Sequence, residues 1–348
     1  MSQAKSNHRI YILDDLRGIA IFIVLFYHYF FVYYKDKKIE NIFISNYHIL
    51  NDYINFGAFG VSLFFLVSGF VIPMSLKGEN SLKSVSNFFI RRFFRLYPTY
   101  WISILFIVLL VFLFKNTDQY TLKQILINFT MMQDIFKEKN IDGVFWTLMI
   151  ELKFYILTAI LFYFNLLKQI KYIVLLLLLL SILTLYYGFV YQTGIYLGNG
   201  LWAYLMLMYL GTAFYFYYIN KLNKNILVTL VTLVSIYYIS NYSFLPISNY
   251  GDKLGFSVAT ILAIIVFIVS LNYKKSLFKV TTFLGKISYP FYLVHQVVGY
   301  LLISIFFELT ISMPFSQFIA ASILIVIATL IHKFVEKPSN KLGHDFVK

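Results

Sequence analysis

The 348-residue sequence has no cysteine. That excludes thiolate nucleophiles, disulfides and Cys-ligated metal sites. Charge is scarce as well: Asp, Glu, Lys and Arg make up 13% of the chain, against about 25% in soluble domains. With a 60% hydrophobic content and a mean hydropathy of +0.76, this excludes an ordinary water-soluble domain and defines a polytopic membrane protein. What the sequence has in excess is aromatic residues, 38 Phe and 30 Tyr. A genome favouring Phe, Tyr, Ile, Lys and Asn codons over Ala and Gly yields part of that load, so it says little about function.

A membrane span needs ~20 mostly apolar residues. Ten segments qualify: 11–34, 53–76, 98–114, 143–166, 171–190, 199–219, 225–242, 254–273, 283–306 and 314–335. The first apolar run is too long for a cleavable signal peptide, and no small-residue cleavage site follows it. It reads as a retained span. Of the 29 Lys and Arg, 20 fall in the termini and in the loops after the even-numbered spans, and 8 fall in the opposite loops. By the positive-inside rule both termini are cytoplasmic. The net charge of +14 is thereby mostly topology, and no nucleic acid partner is needed. The fold class expected is all-α, with about ten transmembrane helices. No internal repeat or composition break divides the chain, so residues 1–348 read as a single transmembrane domain.

The stretch LDDLRGIAIFIVLFYHYFFVYY (13–34) carries Arg17 and His28 on one helix. Eleven residues advance about 20° past three turns and rise ~16.5 Å. The two side chains therefore share a face, one near the cytoplasmic surface and one toward the outside. That span is similar to the reach of an extended pantetheine arm, so an acyl-CoA could leave its phosphates near Arg17 and present its thioester near His28. Taken alone, Arg17 reads first as a snorkelling anchor at a helix end. His28 reads as a packed, hydrogen-bonded histidine or as a general base, since intramembrane ionisable residues are functional candidates.

In GVFWTLMIELKFY (143–155), Trp146 suits an outer interfacial belt. Glu151 lies five residues deeper, ~7.5 Å by rise. His28 is about six residues in from the outer end of its helix, so a carboxylate–imidazole pair is expected; the alternative is a structural ion pair. In FFIRRFFRLYPTYW (88–101), Arg91, Arg92 and Arg95 form a cytoplasmic ledge suited to phosphates or to topology and anionic membrane lipid. Small residues Gly57, Gly60, Ser62, Ser68 and Gly69 either pack helices closely or clear a path for an acyl arm. His295 falls near mid-membrane, in GKISYPFYLVHQ (285–296). With Tyr289 and Tyr292 it lines a cavity, and it reads as structural more than catalytic.

Taken together, LRGIAIFIVLFYH, GVSLFFLVSGFVI, RRFFRLYP, FWTLMIELKFY, ISYPFYLVH and FVEKP (334–338), in order along residues 16–338, resemble the acyltransferase family 3 integral membrane proteins. The resemblance implies a membrane O-acyltransferase of cell-surface polysaccharide or lipopolysaccharide. It implies His28 as catalytic residue with Arg17 its companion, and Glu151 at a functional acidic position. Arg91, Arg92 and Arg95 become donor-binding residues, and Ser68, Tyr289, Tyr292 and His295 the cavity lining. No cofactor is bound permanently and no metal is expected. Acyl-CoA, acetyl-CoA foremost, is the co-substrate, and a glycan or lipid-linked glycan the acceptor. A bacterial inner or plasma membrane is the expected location. The chain reads as a stand-alone member, without a C-terminal hydrolase-like domain. Two departures are the Asp14–Asp15 pair and Lys153, which falls where the family often has an acid or Gln. A transporter or exporter of a small or acylated surface precursor is the competing reading: intramembrane charge also marks substrate pathways.

Overall fold

A computed structural model describes residues 10–37, 50, 53–76, 78–115, 119–190, 199–240, 253–273, 276 and 278–347. Among the described residues there is no strand. The helices are α1 (Tyr11–Lys37), α2 (Phe56–Ser75), α3 (Leu82–Lys115), the short α4 (Leu122–Asn128), α5 (Trp146–Tyr163), α6 (Ile170–Val190), α7 (Asn199–Tyr218), α8 (Lys224–Ser240), α9 (Lys253–Ser270), α10 (Lys279–Val294), α11 (Val297–Glu308) and α12 (Met313–Phe346).

Each of the ten predicted segments falls on a helix, with two corrections. The third segment does not begin at residue 98. Helix α3 starts sixteen residues earlier and runs through Pro98, because Phe88 and Leu96 already supply a buried face. The arginines therefore stand on a rigid helix and not in a loop. The ninth segment is two helices, α10 and α11, bent by 78° at His295–Gln296. Among the described residues, five helices are long and apolar enough to cross a membrane, or six if the bent pair counts as one span. Three of the predicted spans are shorter apolar helices. Several charges used for sidedness, Lys5, Arg9, Lys38, Lys77, Lys274, Lys275 and Lys348, lie outside the described residues.

Two glycine-lined crossings hold the bundle. A Cβ on Gly18 would sit 1.9 Å from the Thr281 carbonyl oxygen, and one on Gly285 would sit 1.9 Å from that of Asp14. Helices α1 and α10 thus touch backbone to backbone. Asp15, fully buried, seals this crossing by accepting hydrogen bonds from Thr281 Oγ1 at 2.9 Å and Thr282 Oγ1 at 2.5 Å. The acidic pair before the first apolar run therefore has a structural partner. Helices α2 and α7 meet likewise at Gly69, whose Cβ would lie 1.9 Å from the Met208 oxygen, and Thr212 Oγ1 donates to the Gly69 carbonyl at 3.0 Å. Of the small residues on α2, Gly57, Gly60 and Gly69 serve packing. Gly18→Val should force the α1–α10 backbones apart and cost about 3 kcal/mol or more, the upper range for overpacking. A thermal midpoint in detergent unchanged from wild type would show the crossing to be loose.

Candidate active site

Helix α1 leaves α-helical register at His28. Residues His28–Val32 form a π-helical turn, and the Tyr33 N–H reaches back five residues to the His28 carbonyl. Such turns are frequent at functional sites. Side chains supply further donors to the carbonyls in this turn: Tyr300 Oη donates to His28 O at 3.1 Å and Gln317 Nε2 to Tyr29 O at 3.0 Å.

The π-turn opens on a pair of imidazoles. His28 Nδ1 lies 2.9 Å from the Val24 carbonyl oxygen and 3.3 Å from Nε2 of His295. The two rings are perpendicular, with centroids 4.8 Å apart. His295, 0% exposed, places its own Nδ1 2.7 Å from the Tyr292 carbonyl oxygen. A carbonyl oxygen only accepts, so a neutral imidazole facing one through Nδ1 carries its proton there. Both rings are assigned the Nδ1–H tautomer on that ground. Nε2 of His295 then accepts from His28, and Nε2 of His28 is left as a lone pair able to take a proton.

The bend between α10 and α11 fixes His295, and a segment from elsewhere in the chain clamps the bend. Asp142 is fully buried. Its Oδ1 accepts from the Val144 N–H at 3.1 Å and its Oδ2 from the Val297 N–H at 3.0 Å. One carboxylate thus caps both the turn before α5 and the first turn of α11. Tyr292 Oη adds bonds to Val144 O at 3.1 Å and Thr147 Oγ1 at 2.9 Å.

The second centre is charged. Tyr155 Oη donates to Glu151 Oε1, and Ser68 Oγ donates to the same oxygen at 3.5 Å. Arg92 lies with its guanidinium carbon 5.5 Å from the ring centres of both Phe88 and Tyr155. Its Nε is buried with no hydrogen-bond partner among the described residues. Arg95 and Arg17 interact electrostatically with Glu151, Arg95 also with Glu336. Arg17 makes a 3.8 Å ion pair with Asp14. Tyr289 Oη donates to the Leu96 carbonyl at 2.9 Å, tying α10 to the arginine helix.

Four predicted site residues, Arg17, Arg92, Arg95 and Glu151, are thus brought together, and Ser68 and Tyr289 border them. Glu151 is not brought to His28; the imidazole partner is His295. Counting depth from Trp146 does not bring Glu151 to His28; Trp146, half-buried, packs against Phe65 and Tyr204, with ring centroids 6.5 and 5.2 Å away. Asp142, not Trp146, lies at the level of His295. Glu151 is nine residues further on, ~13 Å by helical rise, much as Arg17 is ~16.5 Å from His28. Arg91 also parts from its neighbours: among the described residues its hydrogen bond goes to Ser75 O, at 3.4 Å, and it lines a surface pocket. Lys153 faces Asp134 electrostatically. Asp142 escaped the sequence reading, although an Asp–Gly directly before an apolar helical run is an N-cap signal.

Comparison with known proteins gives the class. The family model described as an acyltransferase domain, that of acyltransferase family 3, matches residues 10–333. The chain belongs to this family of acyltransferases, and its apolar helices make it a multi-pass membrane member. It is 25% identical over 306 residues to a protein of Acidianus two-tailed virus named "Putative acetyltransferase ORF330", covering 83% of each chain. No solved structure matches it.

Proposed function

We propose that the protein carries an acyl group, acetyl in the first instance, from cytosolic acyl-CoA to a hydroxyl of a surface or lipid-linked glycan across a cell membrane. The observation that carries this reading is the free Nε2 of His28, oriented by Val24 and His295. As the acceptor oxygen attacks the thioester carbonyl, His28 Nε2 takes its proton. The new C–O ester bond forms, the C–S bond breaks, and the thiolate of CoA leaves and recovers the proton from the imidazolium. The charge that His28 gains is supported through Nδ1–H by the Val24 oxygen and the His295 lone pair. No carboxylate is needed against the ring.

Arg17, Arg92 and Arg95 hold donor phosphates, and the unmet Nε of Arg92 is a donor waiting for an acceptor oxygen. Glu151 balances these guanidiniums and orients them through Tyr155. With ten spans and cytoplasmic termini, the charged centre faces the cytosol and His28 lies beyond the midplane. The donor arm reaches through the protein, and CoA stays on the side it came from.

Sealed vesicles of known orientation test this. Acetyl-CoA labelled in its acyl group should support transfer only from the cytoplasmic face, with the labelled ester appearing on glycan of the opposite face. Ester formed on the donor's own side alone would refute transfer through the membrane.

A further inference from the structure

The segment that leads from α3 to Asp142 folds back along the bundle. Trp101 Nε1 donates to the Phe129 carbonyl at 2.9 Å and Tyr97 Oη to that of Thr130 at 3.1 Å. Trp101 lies fourteen residues short of the end of α3 at Lys115, ~21 Å by rise. The returning chain is pinned to itself as well. Asn128, fully buried, donates to the Gln124 and Lys139 carbonyls, each at 2.9 Å, and accepts from the Ile141 N–H at 3.1 Å. Gln133 Nε2 donates to Asn140 Oδ1 at 2.6 Å. A segment held at this many points keeps Gln133 in one place beside α3.

Gln133 meets a row of unsatisfied polar atoms there. Its own Oε1 is buried with no hydrogen-bond partner among the described residues. On α3, Thr99 Oγ1, Tyr100 Oη and Arg92 Nε are unmet in the same way, and Thr99 and Tyr100 are both 0% exposed. Arg92, Thr99 and Tyr100 stand at i, i+7 and i+8, which is one face of a helix. Tyr100 Oη and the Gln133 amide face each other without closing a hydrogen bond. Buried polar atoms are costly unless something completes them, so a row of them on one inward face marks the place of a polar ligand. The row lies between the two centres. Tyr100 is eight residues beyond Arg92, ~12 Å by rise. It interacts electrostatically with Asp142, the clamp of the His295 bend, and with Tyr289 at the border of the charged centre.

A hydroxyl that donates beside a carbonyl oxygen that accepts matches a secondary amide, whose C=O takes the Tyr100 O–H and whose N–H goes to Gln133 Oε1. We infer that Tyr100 and Gln133 grip the secondary amide nearer the thioester in the donor's arm, as the arm passes from the charged centre to His28. Such a grip rests on the reading of acyl-CoA as donor, and it would hold the thioester in register with the base. An N-acetyl group on an amino-sugar acceptor offers the same amide. The Tyr100 ring packs on Phe145, with centroids 4.9 Å apart, and Phe145 lies three residues past Asp142 toward Glu151. Tyr100 is therefore on the Glu151 side of the imidazole pair, where the donor enters, and this favours the arm.

The probes are CoA and an analogue whose arm carries an ester in place of that amide, which keeps the C=O and removes the N–H. Binding of each to the purified full chain in detergent is measured by titration calorimetry. The wild-type protein should bind CoA about three- to tenfold more tightly than the analogue, the scale of one neutral hydrogen bond. Gln133→Met, which keeps the length of the side chain, should bring CoA to the affinity of the analogue and leave the analogue unchanged, which also reports an intact fold. Tyr100→Phe should weaken both ligands by a similar factor. Its thermal midpoint should stay at or above that of wild type, because the hydroxyl it removes has no partner in the free protein. Equal affinities in the wild type, or the same discrimination in Gln133→Met, would overturn the amide grip and leave the donor reading standing. A lower midpoint in Tyr100→Phe with unchanged CoA affinity would show that Tyr100 and Gln133 close on each other, and would overturn the grip as well. Absence of CoA binding in the wild type would overturn both readings. A preference for N-acetylglucosamine over glucosamine that both variants lose, with their CoA affinities unmoved, would assign the amide to the acceptor and overturn the inference.

Discussion

His28→Ala should lower acyl transfer by about 10²–10⁴ in turnover, the usual cost of losing a general base, with little change in folding. The ring is partly exposed, and its hydrogen bonds run to one carbonyl and one imidazole. The side chain therefore carries chemistry more than packing. Its companion should behave differently. His295→Gln removes the lone pair facing His28 Nδ1, although an amide oxygen can take its place as acceptor. This variant should keep more activity than His295→Ala, and His28→Ala should lie below both. Initial rates with purified, monodisperse protein decide the order. Near-normal turnover of His28→Ala would remove the base from the mechanism, and equal losses in both His295 variants would reduce His295 to a packed residue.

The second large effect belongs to Asp142. Its carboxylate satisfies two buried N–H groups on separate segments, and each unmet donor costs about 1–3 kcal/mol. Asp142→Ala should therefore destabilise the protein by about 2–6 kcal/mol and loosen the bend that carries His295. A thermal midpoint in detergent unchanged in Asp142→Ala would show that the bend holds without this clamp. Faster amide exchange at Val144 and Val297 in Asp142→Ala would locate the damage.

Much of this site was legible along single helices. Arg17 and His28 share a face because helical rise and twist are local properties, so two residues on one helix fix each other's depth. The gathering of Arg92, Arg95 and Arg17 at one end was legible for the same reason, as basic residues mark one membrane face. Sequence spacing also put Arg91 on the ledge. It could not separate Arg91 from Arg92, because that separation depends on neighbouring helices: Tyr155 of α5 takes the Arg92 guanidinium, while Arg91 turns to Ser75 O at the end of α2.

What the sequence by itself determined was the membrane class, the family motifs and the positions of the two chemical centres along the first helix. Tertiary structure alone decided who meets whom between helices. His295 reaches His28 across 267 residues because Gly18 and Gly285 let α1 and α10 touch at their backbones. It faces inward because Asp142 captures the Val297 N–H and holds the chain bent by 78° just after it. Glu151 went to the arginines and not to the imidazole because Asp142, nine residues before it, already lies at the level of His295. Composition and periodicity describe how each helix meets its solvent. Contacts between helices depend on close approach and on hydrogen bonds between distant residues, for which one sequence carries no local signal.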